Sequence, residues 1–456
     1  MERSLKHFKK NIQLILLVIS LILYIRIGYF TDRTNFVEIL SIFSLLFVGY
    51  FFLIRSNISF HLLLAFVIFF RLIFLLSVPN LSDDFYRFIW DGRLLFQGEN
   101  PFLHLPSHYL QQGIPGINNT LFEQLNSPNY FTIYPPVCQF VYFVSAFGGD
   151  KSILYNVVII RIFILLAELG TIYFLLQLTK KNEWNQKLVL TYAFNPLIII
   201  ELSGNVHPEA WMIFFLCLSL YFLLKNQLLL SPIFFGLAIS SKLLPLMFLP
   251  FFITYLGWKK AISYYLITGL TCILLFLPFF NFEMIYNLSD SINLYFKKFE
   301  FNASIYYIVR WIGFQVKGYN IIQTAGIRLS FIPVILIALL TFNQRDKWEN
   351  LWEKMLFALS AYFFVATIIH PWYITTLVFL SVPLKFRFAV LWSFLAILSY
   401  ATYQTNQYIE NLWLVALEYC LVYGWLIWEL MVHKKLLFRG YKKHLEASIH
   451  LLKTKL

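Results

Sequence analysis

The chain has 456 residues, of which 59% are hydrophobic, 20% aromatic and 13% charged, against about 25% charged in an ordinary soluble domain. This balance, with a mean hydropathy of +0.69, excludes a disordered chain and a single soluble core and leaves a polytopic membrane protein. The net charge of +13 brings nucleic acid into view as a partner, and where the charges sit decides the matter. A membrane-spanning helix needs about 17–25 apolar residues. In chain order such runs fall at 11–30, 36–54, 58–78, 153–178, 260–280, 323–342 and 409–431. Shorter or interrupted runs fall at 188–202, 208–224, 353–369 and 388–404. The run 228–256 is too long for one span and breaks at Ser240-Ser241-Lys242; the run 353–384 breaks at His370-Pro371-Trp372. The expected fold class is therefore an all-α polytopic membrane protein with about 14 transmembrane helices, in a range of 11–14.

The first run follows Lys6, Lys9 and Lys10 without a small-residue cleavage site, and reads as a retained helix. With the N-terminus in the cytoplasm, 23 of the 36 Lys and Arg fall inside and 9 outside, as the positive-inside rule expects. Arg26, Arg71, Arg161 and Arg328 lie within spans. Both termini are then cytoplasmic, and the chain is one membrane-embedded domain over residues 1–456. Its long outer loops are 79–152 and 281–322. The apolar segment 133–147 reads as an interfacial or re-entrant helix, because a span there would put Lys180, Lys181 and Lys187 outside. The basic, amphipathic tail 433–456 suits an anionic inner leaflet. Most of the positive charge is thus a topology signal, and nucleic acid is excluded as a partner. Four Cys lie in apolar stretches without CxxC spacing and read as buried small hydrophobes.

The first outer loop opens Ser82-Asp83-Asp84-Phe85-Tyr86-Arg87-Phe88-Ile89-Trp90-Asp91-Gly92-Arg93. Helical spacing puts Asp84, Arg87 and Asp91 on one face, largely apart from Phe85, Phe88, Ile89 and Trp90. An amphipathic helix on the outer membrane surface is expected. Adjacent carboxylates beside apolar surface suit a general base or offer oxygen ligands to a divalent cation. Alternatively, Ser82 or Asp83 caps the helix start. Glu201-Leu-Ser-Gly-Asn205-Val-His207-Pro208-Glu209 lies between two apolar runs on the same side. It reads as a polar site or as a helix cap with Pro at the first turn. Lys242 has no carboxylate within four residues; at membrane depth it is a site residue or a snorkelling one. His370-Pro371-Trp372-Tyr373, Arg310 after Tyr306 and Tyr307, and Tyr134-Pro135-Pro136 complete the set. All fall on the outer face, where a carboxylate pair, cations and aromatic rims together suit a lipid phosphosugar.

The run SDDFYRFIWDGRLLFQGENPF, residues 82–102, resembles the first-loop signature of bacterial GT-C glycosyltransferases. The nearest subgroup is the polyprenol-phosphate-mannose-dependent mannosyltransferases, with the pattern DD-x-x-R-[YF]-x-W-D-G-x-x-x-x-x-G-x-N-P-[YF]. The order continues with YPP, NPLIIIELSGNVHPE, GLAISSK and HPWY, so that the resemblance covers most of residues 58–384. It implies an enzyme that transfers a hexose, mannose first, from a polyprenyl-phosphate donor. The acceptor is a glycan or lipid-linked, the face is the outer, periplasmic side of the inner membrane, and the anomeric centre inverts. Carried over, Asp84 or Asp83 is the catalytic carboxylate, with Asp84 favoured. Lys242, Arg310 and His370 are donor-phosphate contacts, and Arg87, Asp91, Tyr134, Asn205, His207 and Glu209 are acceptor or sugar contacts. Some members bind a metal, so a divalent cation (Mg or Mn) is a candidate cofactor with unassigned ligands. Where related proteins often carry Asn-Asp, this chain has Asn205-Val206-His207-Pro208-Glu209. The rival readings are a transporter or flippase, a ligase, and a polymerase of lipid-linked glycans; no internal repeat favours the transporter.

Overall fold

The computed structural model describes residues 2–148, 152–342, 348–405 and 408–453, with side chains described for 11–148, 152–293, 297–342, 348, 350–405 and 408–433. Among these residues every regular element is helical, apart from one isolated parallel bridge between Phe301 and Ile368. Among the described residues six helices are long and apolar enough to cross a membrane: Asn11–Tyr29, Phe36–Ile54, Ile153–Lys181, Trp258–Phe279, Ile322–Phe342 and Leu412–His433. A seventh crossing results if Gln186–Ala193 and Pro196–Gly204, bent by 50° at their break, count as one. Their starts are locally encoded. Asn35, Ser59 and Ser152 each accept a hydrogen bond from the backbone N–H three residues on, at 3.2–3.3 Å.

The count falls short of the expected fourteen because several apolar runs form short or broken helices. Glu209–Leu224 has 16 residues, about 24 Å at 1.5 Å per residue. The run 228–256 breaks after Leu230–Ile239 and resumes as a 3₁₀ turn at Leu244–Phe248. The run 353–384 divides into Trp348–Val365 and Ile374–Ser381 around His370. Segment 133–147 yields the ten-residue helix Pro136–Ser145, too short to span.

The Asp84–Phe96 helix differs from the surface helix that its pattern suggests. Phe85, Phe88, Ile89 and Trp90 are buried, and so are Arg87 and Asp91 on the polar face. The helix packs on Pro136–Ser145 at Gly92, where a Cβ would sit 2.2 Å from the Tyr142 carbonyl oxygen. Only glycine lets the two backbones approach so closely. The polar face is covered because Asp91 accepts from Thr132 Oγ1 (2.5 Å) and Gln139 Nε2 (3.0 Å).

Two arginines that the sequence places inside spans are buried in the core. Arg71 makes a two-pronged pair with Glu168, Nε–Oε2 3.0 Å and Nη2–Oε1 3.1 Å, and donates to Ala193 O at 2.8 Å. Arg161 donates to four carbonyls: Ser203 (2.7 Å), Gly204 (2.9 Å), Leu75 (3.1 Å) and Ser77 (2.5 Å). It thereby joins the segment before Asp83 to the π-helical turn Ile199–Gly204. An apolar core runs continuously from Leu17 to Leu426. Long helices such as Trp258–Phe276 turn Leu266, Leu270 and Ile273 outward, as lipid contact requires. Of the cysteines, Cys138 and Cys217 are buried, Cys272 is half-buried and Cys420 is exposed; exposure of Cys420 corrects the reading of all four as buried. The amphipathic reading of the 433–456 tail falls on side chains outside the described residues.

Candidate functional site

A cavity of about 850 Å³ gathers residues from the two long loops and from the breaks at 205–209, 240–244, 366–373 and 402–410. Asp83, Asp84, Arg87, Tyr134, His207, Glu209, Lys242 and His370 all line it. Asp91, Asn205 and Arg310 do not. Asp91 is fully buried beneath the first loop, and Arg87 donates to it at 2.9 Å. The other arm of Arg87 reaches the carbonyls of Ser127 (3.2 Å) and Tyr130 (2.9 Å) and so shapes the wall. Asn205 lies one layer back, donating to Glu201 at 2.9 Å. Arg310 pairs with Glu300 and lies over the Tyr307 ring, 4.2 Å from its centroid; it is Glu300 that reaches the cavity.

The two adjacent aspartates have different surroundings. Asp83 pairs with Arg33, whose guanidinium lies 5.3 Å from the Tyr403 ring centroid. Its side chain makes no capping hydrogen bond to the helix that follows. Asp84 is paired with no Lys or Arg among the described residues. Its Oδ1 accepts from Asn126 Nδ2 at 2.6 Å, and its Oδ2 lies 3.9 Å from His207 Nδ1. Desolvation raises the Asp84 pKa above the usual carboxylate value; His207 and Asn126 oppose this, and Glu209 and Asp83 add to it.

Lys242 finds a carboxylate after all. It pairs with Glu209 and lies 4.0 Å from the Tyr373 ring centroid. The second oxygen of Glu209, Oε2, is buried without a hydrogen-bond partner among the described residues. Glu209 enters at the first turn of its helix, after Pro208. The four rings of His207, Trp372, His370 and Phe301 form a stacked column, with successive centroids 3.8, 4.3 and 4.7 Å apart. The column is anchored where Phe301 N donates to Thr367 O (2.9 Å) and Ile369 N to Phe301 O (2.8 Å). Desolvation lowers the His370 pKa to about 3, with His207 and Lys242 adding to the effect. His370 is therefore a neutral ring at physiological pH, offering hydrogen bonds and no charge to a phosphate.

Arg33, Glu201, Trp372 and Tyr403 are site residues that the sequence reading left without a role. Arg33 carried one signal, as a lone cation just beyond the first span. Among the described residues no three His, Cys, Asp or Glu side chains converge as a metal cluster. Asp83 is held by Arg33 and Glu209 by Lys242, which leaves Asp84 as the one of these three carboxylates without a Lys or Arg partner among the described residues.

The fold and this cavity define a helical membrane protein with a half-buried carboxylate without a cation partner among the described residues, two paired cations and an aromatic wall. Residues 33–257 match the family model of the MptA/B family, described as alpha-(1->6)-mannopyranosyltransferase, N-terminal domain. By that match residues 33–257 are those of a mannosyltransferase of GT-C type, so that the chain is a glycosyltransferase; the family implies a sugar donor and a glycan acceptor, and the apolar helices suggest a lipid bilayer. No curated protein matches the chain.

Proposed function

We propose that the protein transfers mannose from a polyprenyl-phosphate donor to a glycan or lipid-linked acceptor on the outer face of the inner membrane, with inversion. Both termini lie in the cytoplasm on this reading. The short and broken helices complete a bundle of 11–14 crossings, within one membrane-embedded domain that carries its site between the loops 79–152 and 281–322. The observation that carries it is Asp84: a carboxylate at the cavity wall, without a cation partner among the described residues and with its pKa raised by desolvation. Such a group holds a proton taken from an acceptor hydroxyl better than an ordinary surface carboxylate does.

The acceptor oxygen attacks C1 as Asp84 takes its proton, and the bond to the lipid phosphate breaks with its electron pair on the phosphate. Lys242 is the cation placed to meet that charge, exchanging Glu209 for phosphate oxygens. Asp83, held by Arg33, orients the acceptor side. His370 and Tyr134 contact donor and acceptor sugar as neutral rings. Away from Asp84 the cavity is lined by Leu243, Leu244, Ile292, Gly326, Tyr362 and Val365, a lining suited to a prenyl chain. No step runs through a metal.

The test incubates membranes with labelled polyprenyl-phosphate-mannose and an acceptor extract, comparing wild type with Asp83→Asn and Asp84→Asn. Loss of transfer in Asp84→Asn is expected; undiminished transfer by both variants, normally folded, sinks the reading. A reporter fused at Asn118 is expected on the outer face.

A further inference from the structure

Glu209 is fully buried, yet its carboxylate is only half satisfied. Oε1 is paired with Lys242, and Oε2 has no hydrogen-bond partner among the described residues. No other carboxylate among those residues keeps a buried oxygen unpaired. A buried polar atom left in this state is a cost that a folded chain rarely keeps without a use for it. Both members of the pair line the cavity, and they differ in access: the Glu209 side chain is 1% exposed and that of Lys242 25%. The ammonium is thus the outer partner. It also lies 4.0 Å from the centroid of the Tyr373 ring, whose face attracts the cation whichever anion it meets. Lys242 can therefore change partners without losing its seat, while Glu209 stays at the first turn of the Glu209–Leu224 helix.

We propose that Glu209 reads the donor sugar at its C2 hydroxyl, and so sets the preference for mannose over its C2 epimer. This rests on the reading of Lys242 as the cation that meets the donor phosphate. When Lys242 turns to the phosphate, Glu209 loses its counterion, and both of its oxygens need hydrogen-bond donors. A hexosyl phosphate brings them as hydroxyl groups, each of which can donate one hydrogen bond to a carboxylate oxygen.

Connectivity decides which hydroxyl it is. The phosphate sits on C1, and the group that binds it was in contact with Glu209 beforehand. The hydroxyl that reaches Glu209 is therefore the neighbour of the phosphate on the ring, the one on C2. In mannose that hydroxyl is axial; in the C2 epimer, glucose, it is equatorial. Hydrogen bonds weaken steeply off their preferred distance and angle, so one fixed carboxylate does not serve both epimers from the same ring position. The oxygen that is idle in the resting pair is used in the donor complex. Such a site also rejects a donor that lacks the hydroxyl, because its buried oxygen is then left unpaired again.

The experiment measures kcat/KM of the purified full chain with polyprenyl-phosphate-mannose, its 2-deoxy and 4-deoxy analogues and polyprenyl-phosphate-glucose. It compares wild type, Glu209→Gln and Glu209→Ala with one acceptor extract. In wild type, removing the C2 hydroxyl should cost about 10- to 100-fold, the range for one hydrogen bond to a charged group. In Glu209→Ala the same removal should cost under about threefold, because the partner is already gone. Glu209→Gln keeps a neutral oxygen at that place and should fall between. The missing oxygen also alters the reactivity of C1, but equally in every enzyme, so this cancels in the ratio. The 4-deoxy donor should lose the same factor in all three enzymes, and the preference for mannose over glucose should narrow in Glu209→Ala. A purely structural Glu209 lowers all donors alike, so a 2-deoxy ratio unchanged in both variants overturns the proposal. A change confined to the 4-deoxy ratio overturns it too. If Glu209→Ala does not fold, the ratio of Glu209→Gln decides alone. Failure of wild type to transfer from polyprenyl-phosphate-mannose is a different result: it overturns the donor reading itself, and the proposal with it.

Discussion

In the first long loop, Phe88 and Trp90 are fully buried, and Arg87 and Asp91 spend their charges on each other, on the Ser127 and Tyr130 carbonyls and on the side chains of Thr132 and Gln139. In the second, the Ile305–Lys317 helix turns Ile308, Trp311 and Val316 outward and keeps its polar ties to one side, through Glu300, Arg310 and Tyr306. The first loop is part of the protein interior, and its side chains are fixed before any substrate arrives. The second presents an apolar face to its surroundings and meets the cavity at only a few residues, Phe301 and Glu300 among them. Precision of geometry is therefore expected from the first loop and access from the second.

The largest test of that contrast is Asp84→Asn, expected to cut transfer about 10²- to 10⁴-fold, the usual worth of a general base. Its thermal stability should hold or rise, because a desolvated carboxylate is removed. Asp83→Asn should cost less activity, since it leaves Asp84 in place and unbinds only Arg33. Next come paired glycine substitutions. Gly92→Ala meets backbone, the Tyr142 carbonyl at 2.2 Å, whereas Gly313→Ala meets the Ile321 side chain at 2.6 Å, which can move aside. Gly92→Ala should destabilise by about 1–3 kcal/mol, the usual cost of overpacking, and Gly313→Ala by less, as measured by thermal unfolding in detergent. Equal losses would remove the distinction between the loops.

Smaller effects separate the cations. Lys242→Gln is expected to raise donor KM about tenfold, as for loss of one charge-assisted contact. Arg310→Gln removes a half-buried ion pair at the edge of the cavity, which Arg310 itself does not line, worth about 0–1 kcal/mol, and should leave KM unchanged. The pH profile follows from Asp84. With its folded pKa raised, transfer falls as pH drops through that raised value, at higher pH than a surface carboxylate would give. The sign for stability is opposite: the folded state favours protonated Asp84, so this group's contribution is lost as pH rises through the same range. Wild type should therefore lose thermal stability relative to Asp84→Asn on going from acid to neutral pH. The smallest expected effect is that of EDTA, which should leave transfer unchanged.

The fold class was legible because lipid imposes an apolar composition over the whole chain. The breaks at Ser240-Ser241-Lys242 and His370-Pro371-Trp372 were legible because a polar residue or Pro interrupts an otherwise unbroken run. Span number was not, because a 16-residue helix and a kinked pair have the same local pattern as half of a longer helix. The gathering of Asp84, His207, Lys242 and His370 could be suspected only by counting sides of the membrane. Their partners were invisible: Lys242 pairs with Glu209 across 33 residues and Arg33 with Asp83 across 50, distances at which sequence spacing carries no geometry. The surface placement of the 84–96 helix failed for a related reason. Its polar face is satisfied by Thr132 and Gln139, which no periodicity in the helix itself could announce.

The four-carbonyl grip of Arg161 bears on how the cavity can change shape. One planar cation bolts the segment leading to Asp83 and Asp84 to the turn leading to His207, from beneath, with no exposed surface of its own. Those two walls are thereby one jaw. Widening the cavity falls to the opposite jaw, where the Phe301 bridge and the half-buried His370 are held by two backbone hydrogen bonds. The protein is built as a vice with one fixed side, and the fixed side is the one that carries Asp83, Asp84 and His207.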